Sequence, residues 1–228
     1  MKFALIGDGK IARYHRAAIE HVGGEIAWVH DPKYGTTYRK DWVNFAVICS
    51  PSYHHRQQIK AVLGMFASNV IVEKPMCLPW EPIIDDDRIN VVLQLRYMDL
   101  PDKADIVHVE MVRDADYFTT WKGHPKLTGG LFFNLFIHYI DLAILLDADF
   151  EGVVTGSGTQ HRFIDRLDIG QADMQGCYNR MYEAILQGDG VKPKDLFYLH
   201  WILERNSEHI GYGQDAMEKV VYLKRGMI

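Results

Sequence analysis

Short apolar runs and helical stripes take turns along the first hundred residues. Lys2 to Ile6 is a compact apolar run of strand character, and Gly7-Asp8-Gly9-Lys10-Ile11-Ala12 follows it at once. From Ile11 to Val22 the period becomes helical, with Ala17, Ala18, Ile19 and Val22 on one stripe. Glu25 to His30 predicts a second strand, ending at Asp31-Pro32, and Phe45 to Cys49 a third, ending at Ser50-Pro51. A helix around His55 to Phe66 leads to a fourth strand, Val70 to Val72, closed by Glu73-Lys74-Pro75. Asn90 to Leu95 predicts a fifth. This alternation predicts an α/β fold built on an open, doubly wound parallel sheet. Ligands of such sheets bind outside the carboxyl ends of the strands, where Asp31, Ser50, Pro51, Glu73 and Lys74 stand.

After about residue 97 the pattern changes. Ile106 to Val112 alternates, with Ile106, His108, Glu110 and Val112 on one face and Val107, Val109 and Met111 on the other. A strongly apolar helix is predicted over Leu131 to Leu146, a second over about Met174 to Gln187, and a helical tail from Pro193 to Arg205. Few strands and several helices predict a reduced α+β domain over residues 98–228, following a first domain over residues 1–97.

Composition narrows the function classes. With 228 residues, 25 Lys+Arg against 30 Asp+Glu and a net charge of -5, the chain lacks the basic footprint of a nucleic-acid binder. Its 3 cysteines are Cys49, Cys77 and Cys177, too scattered for a disulfide framework or a paired-cysteine metal site, and a reducing, cytoplasmic setting is expected. The most apolar stretch, Leu131 to Leu146, carries Asn134, His138 and Asp141 and is shorter than the roughly 20 residues of a membrane span. Phe3 to Ile6 is too short for the apolar core of a signal peptide. No membrane or nucleic-acid partner is expected.

Gly7, Gly9 and Ala12 match the G-x-G-x-x-G/A dinucleotide fingerprint of the Rossmann fold, with Lys10 and Ile11 in the turn that opens the helix. The first glycine permits the turn, the second lets a pyrophosphate approach the backbone, and the small third residue allows close packing. Asp31, 24 residues beyond Gly7 (31 − 7), would accept hydrogen bonds from a ribose and repel a 2′-phosphate. NAD is therefore favoured over NADP, although Lys33 stands nearby. His54 and His55 are neighbours and point apart, so one is expected at the cofactor cleft and the other exposed.

Glu73-Lys74-Pro75 directly after a buried strand places a lysine at the crevice edge, able to donate to a hydroxyl oxygen and steady an oxyanion. In the apolar helix, Asn134, His138 and Asp141 stand at i, i+4 and i+7 on one face. They could be a satisfied polar stripe in a core, or the wall of a ligand cleft in which Asp141 orients His138 as a proton acceptor. No third ligand has sensible spacing for zinc. Arg96, Tyr117, Trp121 and Lys122 are candidates for holding an anionic substrate.

With these residues in view, the chain resembles the glucose–fructose oxidoreductase / inositol dehydrogenase / MocA family of NAD(P)-dependent oxidoreductases. The matching pieces are Ala4 to Ala12, Ile48-Cys49-Ser50-Pro51, Glu73-Lys74-Pro75, and Gly129-Gly130 followed by Asn134, His138 and Asp141. Leu93-Gln94-Leu95-Arg96, Trp121-Lys122-Gly123-His124-Pro125 and Tyr178 to Gly188 look like the branch that oxidises the 3-hydroxyl of UDP-N-acetylglucosaminuronic acid. The resemblance implies that Lys74 and His138 are the catalytic pair, that the substrate is a nucleotide sugar, and that the protein is a homodimer or other homo-oligomer. Other sugar or cyclitol dehydrogenases of the family, and a non-catalytic NAD-binding protein, are the alternatives. The chain departs from the family pattern in its shortness, between Pro75 and Asn90 and between Leu146 and Met174, and in carrying Asn134 where aspartate is common.

Overall fold

The computed structural model describes residues 1–34, 39, 41–113, 115–130, 132–155, 173–207 and 218–225. In chain order the elements are β1 (Lys2–Ile6), α1 (Ala12–His21), β2 (Glu25–His30), β3 (Val43–Ile48), α2 (His55–Val62), β4 (Ala67–Val72) and β5 (Ile89–Val91). Then come β6 (Ile106–Val112), α3 (Ala115–Thr119), α4 (Pro125–Thr128), α5 (Ile137–Leu145), β7 (Asp149–Thr155), α6 (Met174–Gln187), α7 (Phe197–Ser207) and β8 (Glu218–Leu223).

The first sheet has the order β2-β1-β3-β4-β5, every pair parallel. Phe3 to Ile6 in β1, which lies between β2 and β3, are wholly buried, as a strand covered on both faces requires. Register sets Ile6 beside His30 and Ile48, and Ile48 beside Val72. The carboxyl ends therefore finish side by side. Ladder bonds continue one residue past them, from Gly7 N–H to His30 O, Cys49 N–H to Ile6 O and Glu73 N–H to Ile48 O.

One side of this sheet, through Phe3, Leu5, Phe45, Val47 and Ile71, packs with Ala18 and Ile19 of α1. Tyr178, Met181, Tyr182 and Ile185 of α6 complete that core. Their spacing of three and four residues forms one helix face. The helix is bounded by the Asp173 side chain, which accepts the Gly176 N–H, and by left-handed Gly188. The chain accordingly divides into two compact units. The first comprises Met1–Cys77, Glu81–Met98 and Asp173–Phe197. A boundary drawn once near residue 97 leaves α6 with the wrong partner, because an amphipathic stripe shows that a helix is covered but not by what.

Other boundaries moved for local reasons. β5 stops at Val91 instead of Leu95, since its neighbour β4 ends at Val72, directly beside Val91. A 3-10 turn, Gln94–Tyr97, follows. α2 ends at Val62, where Leu63 turns extended and Gly64 takes a positive φ of 77°.

The second unit holds a three-stranded sheet in the order β6-β7-β8, with β6 and β7 parallel and β7 and β8 antiparallel. Val107, Val109 and Met111 are buried, as the alternation predicts. β8 lies beyond the elements read from the sequence. The predicted apolar helix begins as a π-helical segment, Phe132–Phe136, and becomes α-helical in α5. Phe136 packs against Phe150 of β7, ring centroids 5.5 Å apart, and Gly152 leaves the room that ring needs. The longer stretch Pro125–Leu145 has 21 residues, and its most apolar 18-residue window has a mean hydropathy of 1.4, enough by length and composition to cross a membrane. Yet 71% of its most apolar window is buried inside the protein, as in a core helix.

Truncating Leu5, wholly buried in an interior strand, is expected to cost about 3 kcal/mol, within the usual range for a core leucine. Urea unfolding of Leu5→Ala beside the parent protein measures it.

Candidate active site

The aligned strand ends bring the predicted cofactor residues together. Gly7, Asp31, Ser50, Pro51 and His54 line a cleft of about 430 Å³ in the first unit. Gly7 has a φ of +93°, and a Cβ there would lie 2.8 Å from the Ser50 backbone nitrogen. Glycine is obligatory at that position on both counts. Gly9 is different, because a Cβ built there meets nothing within 4 Å. Packing does not demand a glycine at Gly9, whereas a ligand approaching the backbone does. Helix α1 begins just beyond, and its N-cap residue Ile11 supplies no side-chain acceptor to the first-turn amides. The Ala12 and Tyr14 amides of that turn donate to Gly9 O and Ile11 O, at 3.1 Å each, and the positive end of the helix dipole favours a phosphate nearby. Lys10 is exposed in the same turn, and Ala12 is buried.

Asp31 is aimed at this loop. One carboxylate oxygen accepts the Asp8 N–H at 2.7 Å and the other the Lys33 N–H at 2.9 Å. These donors fix the carboxylate at the cleft wall, where a ribose hydroxyl would meet it. Asp8 itself takes a two-pronged contact from Arg16, each oxygen 2.9 Å from Nη2. The donors and spaces of this cradle suit a dinucleotide.

Sequence reasoning missed Gln57, Gln58 and Ala61, which also line the cleft. With His54 they stand at i, i+3, i+4 and i+7, a helix-face pattern that would have revealed them. The Ser50 hydroxyl donates to Gln58 Oε1 at 2.5 Å. The other histidine is not exposed as expected. His55 is buried, with Nδ1 2.7 Å from Pro75 O and Nε2 2.8 Å from Ser50 O. It ties the turn after β3 to the turn after β4, and burial pulls its pKa below the ordinary value against those two carbonyls. Cys49 donates its thiol to Gly7 O, and burial together with Glu73 pushes its pKa far up. It is a packed core thiol rather than a nucleophile.

Glu73 and Lys74 occupy the end of β4. Lys74 is half-buried, and its backbone N–H donates to Glu73 Oε2 at 3.3 Å. Glu73 is only 6% exposed and accepts the Tyr178 hydroxyl at 2.6 Å, with His15 Nε2 at 3.2 Å from the same oxygen. Burial alone would raise its pKa. The His15 ring, by hydrogen bond and by charge when protonated, prevails with help from Tyr178 and Lys74, and the carboxyl falls to about 2. His15 did not stand out in the sequence, and Tyr178 and Tyr182 entered it only within the Tyr178 to Gly188 stretch, with no role at the site. Arg96 lies in the Gln94–Tyr97 turn of this same unit.

The remaining candidates belong to the second unit. Asn134, in the π-helical segment, is 9% exposed, and His138 and Asp141, in α5, are 7% and 1% exposed. π-Helical turns are rare, occur mostly as single-turn bulges within α-helices, and are frequent at functional sites. Asn134 Nδ2 donates to the Tyr117 hydroxyl at 2.9 Å and to Lys122 O at 3.2 Å. The Tyr117 ring carries two cations, the Arg113 guanidinium and the Lys122 ammonium, each 5.3 Å from its centroid. Tyr117, Lys122 and Asn134 thus meet, and Arg113, which the sequence did not single out, joins them. Burial raises the Tyr117 pKa, with Arg113 and Asn134 opposing. Trp121 is half-buried at the start of the turn that carries Lys122.

Comparison with known proteins places these features. The model of the GFO_IDH_MocA family, described as an oxidoreductase family with an NAD-binding Rossmann fold, matches residues 33–85. It is the family that the sequence motifs resemble. The WlbA (WbpB) dehydrogenase from Thermus thermophilus, in complex with NAD and UDP-GlcNAcA, superposes with a TM-score of 0.69 at 19% identity. That match covers 95% of this chain and 97% of the other. The same dehydrogenase in complex with NAD and alpha-ketoglutarate gives 0.68 at 20% identity, with the same coverage. These likenesses show a shared fold that takes in both units.

Two outcomes follow from the cradle. Gly7→Ala is expected to cost on the order of 1–3 kcal/mol through its positive φ, whereas Gly9→Ala should melt like the parent and lose NAD affinity. Thermal melts paired with NAD titration separate the two. For Glu73, a folded pKa of about 2 against an ordinary 4.5 means stability that is complete above 4.5 and is lost as pH falls toward 2. The stability gap between the parent and Glu73→Gln should therefore close over that window, as urea midpoints at successive pH values will show.

Proposed function

We propose that this chain is an NAD-dependent dehydrogenase that oxidises the 3-hydroxyl of a UDP-linked N-acetylhexosaminuronic acid. The observation that carries the dehydrogenase reading is the register that sets Gly7, Asp31, Ser50 and Glu73-Lys74 along one sheet edge. Lys74 then follows directly on a strand that ends level with the one leading into the dinucleotide cradle. The oxidoreductase family match and the fold shared with a dehydrogenase support it.

The acidic nucleotide-sugar substrate rests on finer grounds. Arg113 and Lys122 converge on the Tyr117 ring beside Asn134, and two cations gathered at one ring suit a carboxylate or diphosphate better than a neutral sugar. The structurally similar Thermus dehydrogenase is known in complex with UDP-GlcNAcA.

In this proposal bound NAD supplies the hydride acceptor. Lys74 holds the substrate oxygen through its ammonium, His138 takes the hydroxyl proton, and Asp141 orients His138. Asn134 positions the sugar, with Arg96 and Trp121 as further substrate contacts. Gly7, Gly9, Lys10, Ile11, Asp31, Ser50, Pro51 and His54 hold the cofactor, with Glu73 and Lys74 among its contacts, and Glu73 secures the end of the strand. A cytoplasmic homodimer or other homo-oligomer belongs to the same proposal.

Lys74→Ala and His138→Ala should each lower kcat by at least about a hundredfold, the scale of a general acid–base group, with NAD affinity kept within a few fold. Arg113→Gln and Lys122→Gln should raise KM for the acidic nucleotide sugar while leaving oxidation of a neutral sugar unaffected. NADH absorbance across a panel of UDP-sugars, with mass analysis of the product, is the measurement. Full turnover in Lys74→Ala or His138→Ala would remove those assignments, and a preference for neutral sugars would remove the substrate class.

A further inference from the structure

The buried group formed by His15, Glu73, Tyr178 and Tyr182 is more elaborate than packing needs. We propose that His15, Tyr178 and Tyr182 are positioning residues for Lys74, acting through the Glu73 carboxylate that they lock in place. The inference rests on the assignment of Lys74 to catalysis.

The two carboxylate oxygens of Glu73 have separate tasks. Oε1 faces inward, taking the Tyr178 hydroxyl at 2.6 Å with His15 Nε2 at 3.2 Å. Oε2 takes the backbone N–H of Lys74 at 3.3 Å. A second tier stands behind the first, because His15 Nδ1 lies 2.8 Å from the Tyr182 hydroxyl. Tyr178 and Tyr182 are one helical turn apart on α6, and both point into the same group from a helix about a hundred residues away in the chain. His15 comes from the first helix, three residues after Ala12 of the glycine loop.

A purely structural contact would not need this chemistry. Phenylalanine at both tyrosine positions would keep the rings that pack here, Tyr178 stacked 5.3 Å from Tyr14 and Tyr182 tilted 6.1 Å from Phe3. Buried carboxylates cost stability unless fully hydrogen-bonded, and an apolar replacement of the whole cluster is commonly neutral or better. None of the three proposed residues lines the cofactor cleft. They meet the carboxyl end of β4 through Glu73, and the residue after Glu73 is Lys74. A carboxylate fixed by three donors supplies a steady negative charge beside the lysine, and it holds the lysine backbone through Oε2.

The test uses the full chain with NAD and two independent readouts. The first is turnover of UDP-N-acetylglucosaminuronic acid. Tyr178→Phe and Tyr182→Phe should lower kcat roughly tenfold with KM and NAD affinity within twofold, as expected of displaced rather than deleted catalytic groups. The second needs no substrate. Trace acylation of Lys74 with acetic anhydride at pH 8, read by mass spectrometry of the Lys74 peptide, reports how strongly the ammonium is held. Removing the adjacent charge in Glu73→Gln should speed acylation by about tenfold, one unit of proton affinity, and Tyr178→Phe should move it the same way by about threefold.

Lowered thermal stability in the variants, with turnover and Lys74 acylation both within twofold of the parent, would overturn the proposal and leave the cluster a structural clamp. If the parent oxidises no UDP-hexosaminuronic acid, the substrate assignment fails on its own, and acylation still decides whether the cluster governs Lys74. Should Tyr178→Phe not fold, Tyr182→Phe, which removes only the second-tier hydroxyl, carries the same two readouts.

Discussion

Much of the first unit is organised around one buried carboxylate. Glu73 follows a strand whose last residues are fully buried, and a charge in that position must find donors or give up its ionisation. The donors come from elsewhere in the chain, His15 from α1 and Tyr178 from α6, together with the N–H of the next residue. Meeting that demand fixes α1 and α6 to the same end of the sheet. It also explains why α6, though distant in sequence, belongs with the dinucleotide-binding half. Tyr182 adds a second tier through His15, so the demand of one charge passes through two helices.

The other constraint is strand register. In a parallel sheet whose strands end level, the residues just past the ends form a row, and the row here reads Gly7, Asp31, Cys49-Ser50 and Glu73. Gly7 can approach Ser50 only because it has no Cβ, and that approach closes the wall of the cleft. His55 then bridges the Ser50 and Pro75 carbonyls, so the turns after β3 and β4 move as one piece. The cradle is thus held by backbone contacts on one side and by buried side chains on the other. In the second unit the Tyr117 ring plays a similar gathering part, drawing Arg113, Lys122 and Asn134 to a common point.

What could be read from the sequence depended on how local the signal was. That Gly7, Asp31, Ser50, Pro51 and His54 share one cleft was legible because turns at strand ends advertise themselves through glycine, proline and acid placement. Gln57, Gln58 and Ala61 carried a helix-face signal, though polar and small residues on a helix are most simply taken as its solvated side. His55 was misjudged as exposed, since nothing nearby in the chain shows the two carbonyls that enclose it. Asn134 was placed correctly on a buried helical stretch, but its π-helical turn has no mark in hydrophobic spacing. Arg113 looked like any charged residue beside a strand until Tyr117 was seen beneath it.

By itself the sequence determined the alternation of strands and helices, the glycine turn after β1, the acid after β2 and the Glu-Lys-Pro turn after β4. These rest on backbone sterics and side-chain periodicity within a few residues, and neighbours in the chain are enough to express them. Only the tertiary structure decided that Met174–Gln187 completes the first core, that β8 joins the second sheet, and that Glu73 is held by residues from both ends of the chain. A stripe on a helix declares that it must be covered, and a buried carboxylate that it must be paired. Which distant residue meets either need is settled by the packing of the whole chain.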